Sequence, residues 1–315
     1  MIQTSICEII GIKYPIFQGG MAWISDAKLA AAVSDGGGLG IISAMNADAD
    51  YLCDQIKKVR ELTSKPFGVN IMLMSPFVDE VARVVTEEKV PVITTGAGNP
   101  SKYMAAWKDA GIKVIPLVAS VAMAKLVTRG GASAIIAEGS ESGGHVGDTT
   151  TMALIPQVCD ATDLPVIAAG GIADGRGIAA AFMLGAQGVQ LGTRFLVADE
   201  CSVHPNYKEK IIKATDISTI ATGKRLGHPV RSLKTPFSRD YLKAEYNSDI
   251  SDADLEQLAA GALRMAAVEG DSEKGCFLAG QIAGLVKTKQ PAAQIIQEVF
   301  EEAEIILRGA MKWVK

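Results

Sequence analysis

The stretch 137–147 reads AEGSESGGHVG and sets two carboxylates, Glu138 and Glu141, and one histidine, His145, among four glycines. Histidine titrates near neutral pH, so a histidine held at a site can donate a hydrogen bond or move a proton under ordinary conditions. A histidine that only packed would need no glycines beside it. Gly143 and Gly144 read as backbone brought close to a partner, which only a residue without a side chain allows. Glu138 is read as a binding carboxylate or as a structural one satisfying loop N–H groups, and Glu141 as structural or solvent-facing. His204 and His228 are each followed by proline, lack a partner at metal-ligand spacing, and read as loop residues. The five cysteines are scattered and contain no CxxC pair, so no metal site and no disulfide framework is expected.

Such a histidine must be positioned, and the chain offers a regular frame for it. From residue 14 to about 197, short β-rich apolar runs alternate with longer amphipathic ones. Strands are predicted at 15–18, 39–43, 67–72, 90–95, 113–118, 134–138, 165–169 and 188–191. Helices are predicted between them at 26–35, 49–62, 77–88, 101–109, 121–129, 152–161 and 176–184. Several strands are nearly continuous apolar runs, as parallel strands covered on both faces are. Eight strands in strict alternation predict an α/β fold, a (β/α)8 TIM barrel, with an open doubly wound sheet as the alternative. After the eighth strand the rhythm stops. Residues 201–275, with a helical stretch at 253–268, read as an inserted cap on a barrel of residues 1–200. Residues 276–315 form a return segment whose 281–286 run and helix at 291–312 close back on the barrel.

In such a barrel the chemistry sits at the C-terminal ends of the strands. Those ends are Gly19-Gly20-Met21-Ala22, Ser43-Ala44, Asn70, Thr95-Gly96-Ala97, Ala119-Ser120, Glu138 to His145, Gly170-Gly171 and Gly192-Thr193. Glycine concentrates at this rim, which points to backbone approaching a ligand. The last two ends, in AAGGIADG and QLGTRF, fall where this fold holds phosphate, and the N–H groups of Gly171, Gly192 and Thr193 are assigned to it. Neither a Walker A pattern nor GxGxxG occurs, so the phosphate is that of a mononucleotide cofactor. The basic residues Lys224, Arg225, Arg231 and Lys234 either meet phosphates or an acidic partner, or form a solvated face. Met72 and Met74 either line an acyl channel or pack the core.

With 315 residues, 48% of them hydrophobic, the chain can bury a large core. A net charge of −4 argues against a general nucleic-acid binder. No uncharged apolar run reaches the roughly 18 residues that cross a bilayer, and the first fifteen residues lack the pattern of a signal peptide. A soluble cytoplasmic protein without nucleic-acid or membrane partners is expected.

The segments IFQGGMAW, PFGVNIMLMSPF, TTGAGNPSKY, EGSESGGHVG, PVIAAGGIADG, QLGTRF, HPNYKEKI and AGQIAGLV occur in order along essentially the whole chain. Together they resemble the FMN-dependent enoyl-acyl-carrier-protein reductases of the FabK type, in the nitronate monooxygenase (2-nitropropane dioxygenase-like) superfamily. The resemblance implies FMN in the barrel mouth, NADH or NADPH as donor, and reduction of trans-2-enoyl thioesters on an acyl carrier protein in type II fatty-acid synthesis. It places Gly20, Met21 and Ala22 against the flavin ring, Asn70 on the ring or ribityl chain, and Thr95 and Gly96 along its floor. Glu138 and Gly143 fall at further flavin contacts; Gly170, Gly171, Gln190, Gly192 and Thr193 at the phosphate end; His145 at the superfamily's active-site histidine. Ser142 stands where relatives usually carry alanine. Nitronate monooxygenase and quinone reductase activities share this scaffold and remain the alternatives, as does a homodimer beside a monomer.

Overall fold

A computed structural model describes residues 1–45 and 47–313. Its strands are β1 (Ile16–Gln18), β2 (Gly40–Ser43), β3 (Phe67–Met72), β4 (Val92–Gly96), β5 (Lys113–Val118), β6 (Ile135–Glu138), β7 (Gly144–His145), β8 (Val166–Ala169), β9 (Gly188–Leu191), β10 (Thr219–Thr222) and β11 (Val230–Leu233). Eight of them run parallel in the order β1-β9-β8-β6-β5-β4-β3-β2. The Phe17–Leu39 bridge joins β1 to β2 and closes the ring, giving a (β/α)8 TIM barrel. The open-sheet alternative is thereby excluded.

Strand alternation divides the core. Phe17, Leu39, Ile41, Val92, Ile115, Ile136, Ile167 and Ala169 form one cluster inside the bore. Ile6 and Ile10 of helix Ser5–Ile10 belong to the same cluster and plug the end where the strands begin. Their neighbours in sequence, among them Ile42, Val69, Ile93 and Val114, turn outward to the helices. Full burial of each such side chain favours folding by roughly 1.5–3 kcal/mol. Followed to the strand ends, the same parity puts Ser43, Asn70, Thr94, Glu138 and Gln190 on the bore side.

The predicted strands at 67–72, 113–118 and 188–191 and helices at 49–62, 101–109 and 121–129 match end for end. The other ends lie within two residues. Beyond β9 the agreement weakens. The helix expected at 253–268 is broken at Gly261, whose φ of 75° is left-handed, into helix Asp252–Ala259, the short turn Ala262–Arg264 and the wider-wound Met265–Glu269. The final helix ends at Arg308, and Gly309–Trp313 continues as a tighter 3-10 turn.

A second sheet, the antiparallel order β10-β11-β7, has no counterpart among the predicted strands. It pairs Gly144 and His145 with Arg231 and Val230, so the histidine stretch is one edge of a sheet supplied by the segment after the barrel. Outside the barrel, helix Ala292–Arg308 packs on helices Ala27–Asp35 and Gly175–Met183, the first and last of the ring. Glycines make that approach possible: a Cβ on Gly36 would stand 2.9 Å from Ala293 Cα, and one on Gly175 would strike the Ala303 nitrogen. Among the described residues no helix is long and apolar enough to cross a membrane.

Candidate functional site

The rim is built first by the turn after β1. Met21 N–H donates to Ser25 Oγ at 2.9 Å, and Gln18 Nε2 donates to the same oxygen at 2.8 Å, which folds residues 19–25 back over the mouth. Gly20 has no room for a side chain because the Asn70 side chain fills that place. Asn70 Oδ1 accepts from Thr94 Oγ1 at 2.9 Å, so its amide N–H groups are left to donate toward the bore. Ala22 is buried behind this turn. Trp23 follows in a left-handed conformation, φ 63°, 48% exposed, with the Arg264 guanidinium 6.0 Å from its ring. A bulky residue held there stores strain.

The other strand ends differ in how much room they leave. A Cβ on Gly96 would meet nothing within 4 Å, and one on Gly192 only Met21 Sδ at 3.9 Å. These two glycines border open space. Gly170 and Gly171 instead have φ of 86° and 72°, which glycine adopts without strain. The N–H groups of Gly171, Gly192 and Thr193 donate to no acceptor among the described residues. Gln190 lies against Gly19 on the bore side. The Thr193 side chain is engaged elsewhere: Oγ1 accepts from Gly280 N–H at 2.9 Å and ties down the return segment, so it is the backbone N–H, the group assigned to a phosphate, that stays unengaged. For Thr95 the expected placement is corrected. Its parity is that of Ile93, so Thr94 and not Thr95 shares the bore with Asn70, and the buried Thr95 hydroxyl has no partner among the described residues.

In the 138–147 stretch the two carboxylates separate by role. Glu141 accepts from Thr151 N–H (2.9 Å) and Oγ1 (2.8 Å) and starts helix Thr151–Cys159, the structural part assigned to it. Glu138 makes no such bonds. Part of its surface opens to the bore while its carboxyl is walled in by protein, and burial pushes its pKa up to about 7. The nearby Ser142 hydroxyl offsets a little of that effect but is buried without completing a hydrogen bond.

Gly143 is needed for a different reason from the one expected. A Cβ there would stand 2.7–2.8 Å from the Ala279 and Gly280 backbone, so the close partner is the return segment rather than a ring. Gln281 N–H donates to Glu141 O at 2.9 Å and locks the same crossing. His145 is exposed at the rim. Partial desolvation and the proximity of His228 lower its pKa, so the imidazole is neutral at pH 7. His228, read as an isolated loop residue, is therefore a neighbour of the active-site candidate. His204 Nδ1 accepts from Asn206 N–H and caps helix Pro205–Ile212.

The basic residues do not form one surface. Arg225 pairs with Asp252 and donates to the Asn247 and Ile250 carbonyls, and Arg231 grips the Ser140 carbonyl through Nε and Nη2. Met72 keeps the bore parity, whereas Met74 is exposed. Sequence reasoning missed Gln18, Ser25 and the Ala279–Gly280 crossing. Only the buried polar character of the first two, next to GGMAW, signalled them.

These features match what a flavin mononucleotide requires: unengaged N–H groups at the phosphate end, two open glycines, amide donors and a desolvated carboxyl in the bore.

The family model described as "Nitronate monooxygenase" matches residues 3–83 and 74–302. The chain is 31% identical to the (3aS,4S,5R,7aS)-5-hydroxy-7a-methyl-1-oxo-octahydro-1H-indene-4-carboxyl-CoA dehydrogenase of Mycobacterium tuberculosis, over 100% of this chain and 99% of the relative. It is 33% identical to a probable nitronate monooxygenase of Staphylococcus aureus, over 97% and 99%. Its structure superposes on that of FabK from Thermotoga maritima with a TM-score of 0.97 and 49% identity, covering 100% of both chains.

Proposed function

From the premise that this chain belongs to the nitronate monooxygenase family of oxidoreductases, we propose that it is an FMN-dependent enoyl-acyl-carrier-protein reductase. It takes reducing equivalents from NADH or NADPH, and its substrate is a trans-2-enoyl thioester on an acyl carrier protein. The observation that carries this reading is the end-to-end likeness to FabK, segment 201–275 included, at 49% identity. Bound FMN would supply hydride transfer. The protein's part is binding and orientation. Gly171, Gly192 and Thr193 offer N–H groups to the phosphate, Asn70 donates from the bore wall, and Gly96 and Gly192 leave space for the ring system. His145, neutral and exposed at the mouth, is placed to hydrogen-bond a thioester carbonyl and to hold the acyl chain in line. A cytoplasmic setting and a homodimer belong to the same proposal.

The competing reading is nitronate oxidation, which the family description and the Staphylococcus aureus relative favour. One experiment separates the two. The protein, mixed anaerobically with NADH or NADPH, should bleach its flavin absorption, and a crotonyl thioester should then restore it. Bleaching without restoration, together with oxygen consumption on a nitronate, selects the other activity.

A further inference from the structure

Enoyl reduction needs two deliveries, a hydride to Cβ and a proton to Cα. The hydride comes from the reduced cofactor; the proton must come from the protein or from water. His145 is a poor source at neutral pH, because desolvation and His228 favour its neutral form. The bore contains a better one. Glu138 ends β6 on the inward face, opposite Ala169 of β8; among the described residues no charged group pairs with it, and the Ser142 hydroxyl is the one hydrogen-bonding group at its carboxyl.

The surroundings of Glu138 are unusual in being uncharged. On its own loop Glu141 is engaged by Thr151, and Ser142 offers a hydroxyl. Arg231 of β11 lies in the field of Glu141 and grips the Ser140 carbonyl. His228 lies near His145 of β7 and acts on it rather than on Glu138. Of the two strands flanking β6, β8 presents Ala169 and β5 turns Leu117 into the bore; beyond β8, β9 presents Gln190. No charge from these elements stabilises a carboxylate at Glu138, so it holds its proton to about pH 7.

We propose that Glu138 is a catalytic acid of this site, delivering the proton that completes reduction of the double bond. The assignment rests on the enoyl-reductase reading. The Glu138 O–H bond breaks as a C–H bond forms at Cα of the thioester, and the carboxylate left behind regains a proton from water once product leaves. The buried Ser142 hydroxyl, which bonds no other group among the described residues, lies beside the Glu138 carboxyl and can hydrogen-bond that transient carboxylate.

Two measurements on the FMN-loaded protein test this. Infrared titration should show a protonated-carboxyl C=O band that disappears as pH rises through about 7, is lost in Glu138→Gln and is kept in Glu141→Gln. Turnover with crotonyl thioester should fall above that pH in the wild type, whereas Glu138→Gln should be slower by about 10²–10⁴-fold and lose this limb. The infrared band needs no substrate, so it decides the protonation state even if the enoyl reading fails. Absence of the band at pH 6, or an unchanged pH profile in an active Glu138→Gln, overturns the proposal. Absence of enoyl turnover in the wild type sinks the functional reading instead.

Discussion

His145 and Glu138 lie seven residues apart, yet their environments push their protons in opposite directions. Glu138 binds its proton more tightly folded than unfolded. Its contribution to stability is therefore complete below about pH 4.5 and is lost as pH rises through about 7. The shift from 4.5 to about 7 corresponds to roughly 3 kcal/mol. Flavin-free protein should accordingly melt at lower temperature at pH 8.5 than at pH 6, and Glu138→Gln should flatten that slope; calorimetry across this range checks it. His145→Ala should retain flavin and fold but reduce enoyl turnover by about 10²–10³-fold, the usual loss when a carbonyl-directed donor is removed. Reduction of the flavin by NADH or NADPH should suffer less, and anaerobic stopped-flow measures each half alone. The sequence exposed both residues through their place at a strand end. It could not show that Thr94 and Thr95 exchange roles, because that depends on one residue of register.

At the scale of elements, glycine spacing flagged the rim but not the cause at each position. Gly143 passes backbone of the return segment and Gly20 yields to Asn70, whereas Gly96 and Gly192 face open space. Gly171→Val would be a poor probe, since φ of 72° strains any side chain whether or not a phosphate is present. Gly96→Leu is cleaner. Its backbone is unstrained and a Cβ meets nothing within 4 Å, so the melting temperature of the flavin-free protein should hold while FMN affinity falls at least tenfold by fluorescence titration. Undiminished affinity would place the ring elsewhere. Gly143→Ala should do the reverse of a silent change. Overpacking at a crossing of two backbones costs about 1–3 kcal/mol, and the melting temperature should drop by several degrees. The barrel is readable because short, nearly continuous apolar runs alternate with amphipathic stretches of 3.6-residue period. The β10-β11-β7 sheet is not, because a two-residue strand of glycine and histidine has no period.

For the molecule as a whole, the segment after β9 and the return segment converge on one loop. Arg231, Gly280 and Gln281 all bond to residues 140–141 or to Thr193. The site is therefore completed by residues far apart in sequence, which is why motif spacing found its glycines and missed its fastenings. Denatured protein should release one FMN per chain and no FAD, as chromatography of the supernatant would show. FAD would overturn the reading of a bare phosphate end.

The closure of the ring between β1 and β2 is its thinnest joint. Leu39 N–H to Ile16 O, Gln18 N–H to Leu39 O, and the Gln18 side chain accepting from Ile41 N–H at 3.1 Å hold it. Two large outer clusters, one around β2 to β4 and one around β6, β8 and β9, also part near this joint, and helix Ala292–Arg308 spans it from outside. Native-state hydrogen exchange should thus resolve two cooperative units rather than one, with the Ile41 amide exchanging by a local opening cheaper than global unfolding. In Gln18→Leu that amide should lose protection while those inside β8 keep theirs. The mouth would then breathe along one line, beside the turn that carries Met21, and not evenly around its rim.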